Sequence, residues 1–199
     1  MLSKAVFLDK DGTLVEDVPY NTDPDRIHLS NGALEGLSLL QKQGYKLIVV
    51  TNQSGIARGI FEEHELERVE NRLRELLAAS GIDLTGFYYC PHHPDGTVEK
   101  YAVECYCRKP WPGMLNKATL QHRIDLTASW LVGDILHDVE AGNRAGCKTI
   151  LLDIGHETEW KMTPLREPAY RVKDLYEAAS LITREDRLEG ILKYGETKF

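Results

Sequence analysis

The chain has 199 residues, 42% of them apolar and 28% charged, with a net charge of −7, which excludes a disordered or fibrous protein and leaves room for one sizeable core. An acidic chain repels polyanions, so nucleic acid is not an expected partner, whereas a small phosphorylated molecule needs only a few local cations. No apolar stretch approaches the ~20 residues that span a bilayer, and the start leads only into a short apolar run, so the expectation is a cytoplasmic protein with no signal peptide and no membrane contact.

The first run, Ala5-Val6-Phe7-Leu8, is apolar throughout instead of alternating, as in strands buried on both faces. Asp9 and Asp11 follow it. A helix is expected over 32–43, with Leu34, Leu37, Leu39 and Leu40 inward and Gly44 as its stop. A second strand, Leu47-Ile48-Val49-Val50, leads into Thr51-Asn52-Gln53-Ser54-Gly55. The next helix, over 64–80, turns Leu66, Val69, Leu73, Leu76 and Leu77 inward and stops at Gly81. Phe87-Tyr88-Tyr89 reads as a strand ending at Cys90, and a helix follows over 112–121. Trp130-Leu131-Val132 leads to Gly133-Asp134, followed by a helix over 138–145, a strand at Thr149-Ile150-Leu151-Leu152 and a helix over 175–182. Strands alternating with helices predict an α/β fold, a Rossmann-like doubly wound parallel sheet with right-handed crossovers. One domain is expected over 1–183, and the charged, weakly patterned stretch 184–199 reads as a surface helix or a tail. With no long exposed apolar stripe evident, the chain is expected to be a monomer.

Ligands of open parallel sheets sit beyond the carboxyl ends of the strands. Asp9, Thr51, Cys90 and Asp134 all fall there. Asp9 and Asp11, two residues apart on an extended backbone, point to the same side, and paired carboxylates call for a shared cation, for which magnesium with its oxygen ligands is the natural choice. The alternative is a plain Asp-Gly turn. Thr51-Asn52-Gln53-Ser54-Gly55 offers hydroxyl and backbone N–H donors for a phosphoryl group, or is an ordinary polar loop. Arg108-Lys109 is a pair of anion-binding cations or a solvated surface pair. Asp134 and Asp138 could each cap the helix beside them, and Asp138 could instead steady the metal site from outside.

Between the third strand and Arg108, Cys90-Pro91-His92-His93 and Cys105-Tyr106-Cys107 bound an inserted loop, 90–107. Three thiolates and an imidazole are the ligand set of a closed, structural zinc site. His92 shares a side with Cys90 on an extended segment and is favoured over His93. A disulfide between Cys90 and a later cysteine is the alternative, disfavoured in a reducing compartment. Zinc there would brace the segment that presents Arg108 and Lys109. Cys147 reads as a small core residue.

Taken in order, Asp9-Lys10-Asp11-Gly12-Thr13-Leu14, Thr51-Asn52, Lys109 and Gly133-Asp134 resemble the four motifs of the haloacid dehalogenase (HAD) superfamily. The resemblance implies that Asp9 is the nucleophile, that Asp11 serves as general acid and then base, and that Thr51 and Lys109 hold the transferring oxygens. Asp9, Asp134 and the backbone carbonyl of Asp11 would hold magnesium. The cysteine loop, Thr51 through Gly59, and Cys107 through Met114 are similar within that superfamily to the D-glycero-D-manno-heptose 1,7-bisphosphate 7-phosphatases. That similarity implies no large cap domain, a role in heptose metabolism such as lipopolysaccharide biosynthesis, and a phosphorylated sugar as substrate. Its contacts carried over by position are Asp9, Lys10, Asp11, Asp17, Val18, Pro19, Tyr20, Thr51, Asn52, Gln53, Ser54, Arg108 and Lys109, with Arg108 on the phosphate that is retained. One departure is Gly133-Asp134-Ile135, where these enzymes commonly have Gly-Asp-Lys. Histidinol-phosphate phosphatases share the fold, nucleophile and zinc loop and are the closest rival, and a catalytically silent zinc-braced binding module is the rival from another class.

Overall fold

The computed structural model describes residues 2–195, with side chains through residue 188. Its strands are β1 (Ala5–Leu8), β2 (Lys46–Asn52), β3 (Leu84–Cys90), β4 (Trp130–Gly133), β5 (Lys148–Leu152) and β6 (Tyr170–Val172). Its α-helices are α1 (Ala33–Lys42), α2 (Leu66–Ala78), α3 (Gly113–His122), α4 (Leu136–Ala145) and α5 (Leu175–Gly195). The strands form one sheet in the order β3-β2-β1-β4-β5-β6. Every pairing is parallel. Chain order therefore reverses between β1 and β4, the place where doubly wound sheets leave a crevice.

The unbroken apolar runs supply both faces of that sheet. Val6, Leu8, Leu47 and Val49 join the core under α1, α2 and α5, together with Leu37, Leu40, Val69, Leu73, Leu77, Ala178 and Ile182. Ala5, Phe7, Ile48 and Val50 point the other way, onto Met114, Leu115 and Ala118 of α3 and Ala141 of α4. A single strand thus feeds two cores, which is why its residues do not alternate with polar ones. Full burial of each such aliphatic side chain contributes about 1.5–3 kcal/mol.

Three expectations change. Leu34, Leu39 and Leu76 are only partly buried at the margin of the core. Strand β6 carries no sequence signal strong enough to have been read. The last helix does not stop at Ile182 but continues to Gly195, and Asp186 within it accepts from Lys4 Nζ at 2.6 Å and from Tyr45 Oη at 2.7 Å. The stretch read as a surface helix or a tail is thus helical through Gly195 and fastened to the body at Asp186; residues 196–199 lie outside the described residues. Among the described residues no helix is long and apolar enough to cross a membrane.

Candidate active site

β1 and β4 are hydrogen-bonded neighbours, with Leu8 opposite Val132, and the Asp9 N–H continues the ladder to the Val132 carbonyl at 3.0 Å. The two chains leaving these strands are therefore side by side, which brings Asp9 and Asp134 together. Asp138 joins them from the first turn of α4. Oxygens of Asp9, Asp134 and Asp138 all lie within 4.8 Å of one another, and the three residues are 8%, 6% and 0% exposed. Gly133 permits the approach, since a Cβ there would stand 2.3 Å from that of Asp138.

Lys109 enters this group from the far end of the cysteine loop. Its Nζ lies 2.5 Å from Asp9 Oδ1 and 2.5 Å from Asp138 Oδ1, and it donates to the Val50 carbonyl at 2.9 Å. Asn52 fixes the lysine backbone, accepting from the Lys109 N–H at 3.0 Å and donating to its carbonyl at 3.1 Å. Burial alone would lower the Lys109 pKa, but Asp138 and Asp9 together outweigh it and raise it.

One buried ammonium faces three buried carboxylates, and the imbalance appears in the acidity of Asp9 and Asp134. Burial, reinforced by Asp138 and Asp11 against the pull of Lys109, raises Asp9 to about 7. Burial with repulsion from Asp9 and Asp138 raises Asp134 to about 9. Such a donor set lacks positive charge, and a hard divalent cation with oxygen ligands fits it.

Asp11 stands slightly apart from this cluster. One of its oxygens is 2.5 Å from Lys10 Nζ and the other accepts from Gln53 Nε2 at 3.0 Å. The same Gln53 amide donates to Thr51 Oγ1 at 2.9 Å, so Gln53 links the end of β2 to the loop after β1. Asp11 lines a cavity of about 230 Å³ whose walls are the two segments expected from the sequence, Asp17, Val18, Pro19 and Tyr20 on one side and Asn52, Gln53 and Ser54 on the other. Two larger clefts, of about 960 and 700 Å³, contain none of Asp9, Asp11, Lys109 or Asp134.

At the margin, Cys90, His92, Cys105 and Cys107 come together. The three sulfurs are 3.0, 3.1 and 3.4 Å apart, too far for a disulfide, and His92 Nδ1 is 3.3 Å from Cys107 Sγ. All four cysteines of the chain are free. Hydrogen-bond contacts with Cys90, then with Cys105 and His92, pull Cys107 down to about 5 despite burial, while Cys90 and Cys105 are pushed up. Arg108, which follows the last of these cysteines, is tied to the loop: its Nη1 donates to the His92 carbonyl at 3.3 Å.

An HAD-hydrolase-like family pattern matches residues 106–178. The D-glycero-beta-D-manno-heptose-1,7-bisphosphate 7-phosphatase of Photorhabdus laumondii is 48% identical over 148 residues, covering 74% of this chain and 79% of that protein. The chain belongs to this phosphatase family. The Escherichia coli K12 enzyme of the same name is 45% identical over 74% of this chain and 78% of its own length. Among solved structures, the D,D-heptose 1,7-bisphosphate phosphatase of B. bronchiseptica, complexed with magnesium and phosphate, superposes with a TM-score of 0.74 at 29% identity, covering 92% of this chain and 99% of that one. An HAD-like protein from Mesorhizobium loti superposes with a TM-score of 0.79 at 34% identity, covering 91% of this chain and 86% of that one.

Two polar contacts of this family member are not legible in its motifs. Asp138 is more than a cap: besides accepting from the Ile135 N–H at 3.3 Å, it shares Lys109 with Asp9. His156, in the loop after β5, places Nδ1 2.6 Å from Asp134 Oδ2. The available signal was position, because His156 too lies just past the carboxyl end of a parallel strand.

Proposed function

We propose that the chain hydrolyses the 7-phosphate of D-glycero-D-manno-heptose 1,7-bisphosphate, releasing heptose 1-phosphate and inorganic phosphate through an aspartyl-phosphate on Asp9. The observation that carries this reading is the buried group of Asp9, Asp134, Asp138 and Lys109 at the reversal of strand order, in a chain whose named relatives are heptose bisphosphate phosphatases.

Asp9 attacks phosphorus in line, and its new bond replaces the one to the C7 oxygen. Asp11, at the cavity side of the cluster, gives a proton to that departing oxygen and then takes one from the water that hydrolyses the aspartyl-phosphate. Lys109 neutralises charge on the transferring oxygens from a position fixed by Asn52, and the Thr51 hydroxyl holds them from the β2 side. Asp9, Asp134 and the carbonyl of Asp11 would hold magnesium, which when bound supplies the positive charge that the carboxylates lack and stabilises charge on the phosphoryl group. Asp138, committed to Lys109, keeps that lysine aimed at the nucleophile.

Lys10, Asp17, Val18, Pro19, Tyr20, Gln53 and Ser54 surround the sugar, and Arg108 binds the phosphate that stays. A planar guanidinium meets two phosphate oxygens at once, which an ammonium does not. Zinc on Cys90, His92, Cys105 and Cys107 has a structural role, bracing the turn that aims Arg108 and Lys109. Cysteines that hold a metal and form no disulfide suit a cytoplasmic location.

The test is phosphate release with magnesium across heptose bisphosphate, histidinol phosphate and an aryl phosphate, by wild type and Asp9→Asn. The heptose bisphosphate is expected to be the best substrate and the variant inactive on all three. A preference for histidinol phosphate would overturn the substrate, and an active variant would overturn the nucleophile.

A further inference from the structure

The loop between β5 and β6 carries His156 into the cluster of carboxylates. Its side chain is 35% exposed, yet Nδ1 lies 2.6 Å from Asp134 Oδ2. The contact is tightly enclosed: a Cβ on Gly12 would fall 2.2 Å from that same Asp134 oxygen and 2.5 Å from His156 Nδ1. Gly12 has φ +81°, which other residues rarely adopt. The loop after β1, the loop after β4 and His156 therefore meet at one point with no room for a side chain at Gly12.

The neighbouring residue makes the position of His156 firm. Glu157 Oε2 accepts from the Leu136 N–H at the start of α4 at 2.7 Å, and its Oε1 accepts from the Glu159 N–H at 2.8 Å. A carboxylate at a helix N-terminus is favourable for both the free N–H groups and the helix dipole. Glu157 thus ties the loop to the helix that follows Asp134, so imidazole and carboxylate rest on one local frame.

We propose that His156 is a positioning residue for the metal centre, holding one oxygen of Asp134 so that the other is presented to the cation. This rests on the reading of Asp134 as a magnesium ligand. Metal-ligating carboxylates are themselves held by hydrogen bonds, and loss of such a partner typically weakens metal affinity or activity about 10- to 100-fold. In this chain Ile135 offers no side-chain donor, and the imidazole supplies one.

The experiment is calorimetric titration of Mg2+ alone into protein freed of magnesium by gel filtration, with zinc retained, for wild type, His156→Ala, His156→Asn and Asp134→Asn. His156→Ala is expected to bind Mg2+ about 10- to 100-fold more weakly. His156→Asn, whose amide N–H can reach the place of Nδ1–H, is expected to recover most of that loss. At saturating magnesium, KM for the sugar phosphate should stay at the wild-type value. Unchanged Mg2+ affinity in His156→Ala would overturn the proposal, as would a raised KM with normal Mg2+ affinity, which would put the imidazole on the substrate. Wild type that takes up no Mg2+, like Asp134→Asn, would fail the metal reading itself and this role with it.

Discussion

Replacing Lys109 by Met removes the ammonium that faces Asp9 and Asp138 in a site that is almost wholly buried. The lysine side chain is 2% exposed in both contacts, and the side chains of its partners 11% and 0%, so solvent screening offers little relief. Removing one partner of a buried ion pair costs about 3–5 kcal/mol, because the remaining charge is left uncompensated. At about 2–4 °C per kcal/mol for a chain of this size, the expected fall in Tm is roughly 6–20 °C. The sign of its pH dependence follows from the carboxylates. Lys109 lowers the pKa of Asp9 and of Asp134, so in the variant both rise further and the folded state binds protons more readily than the unfolded one. Stability from these groups is then present at low pH and is lost as pH rises through the folded pKa values. Melting curves of magnesium-free protein at pH 5 and pH 8 should show a larger loss at pH 8, with much of it restored by Mg2+. A loss that is equal at the two pH values, or larger at pH 5, would refute the claim that Asp9 and Asp134 depend on this lysine.

Other predictions concern the cation, the cysteine loop and selectivity. Asp9 and Asp134 are raised from 3.8 to about 7 and about 9, so in magnesium-free wild type their contribution to stability is full below pH 4 or so and is lost towards pH 9. Magnesium uptake at pH 6 should therefore release protons; calorimetry in buffers of different ionisation heat would show this as a buffer-dependent enthalpy, and its absence would contradict the raised values. Cys105→Ser is expected to lose the single zinc found by elemental analysis of wild type, to melt earlier and to raise KM; a zinc-free wild type with a Cys90 disulfide would contradict this. Arg108→Ala should cost about 1.5–3 kcal/mol, roughly 10- to 100-fold in kcat/KM, on the sugar bisphosphate and little on an aryl phosphate. Equal losses on the two substrates would make Arg108 structural.

The parts of the site that were legible in the sequence are those that sit at strand ends. Asp9, Thr51, Cys90 and Asp134 each end an apolar run, and a parallel sheet aligns such ends on one edge. The cysteine pairs were legible because their spacing is local. Less legible was whatever depends on contacts distant in sequence. Asn52 looks like a phosphate donor in Thr51-Asn52, yet its amide is engaged with the backbone of Lys109. Asp138 looks like a helix cap, and it is one, but the fold also delivers Lys109 to it across the sheet. Strand β6 has only three residues, Tyr170–Val172, with Arg171 exposed between its neighbours. The length of α5 was hidden because residues 184–187 are all charged, although Asp186 is fastened to Lys4 and Tyr45. His156 lies in a loop with no motif, and only the meeting of three loops at Gly12 brings it to Asp134.

Phosphorus NMR of the reaction with D-glycero-D-manno-heptose 1,7-bisphosphate tests the central claim most directly, since it reports which ester is broken. With magnesium present, the signal of the C7 phosphate should disappear as inorganic phosphate grows, while the anomeric phosphate persists on the product, and Asp9→Asn should leave both esters intact. Loss of the anomeric phosphate first, or no hydrolysis of either ester by the magnesium-loaded wild type, would contradict the account.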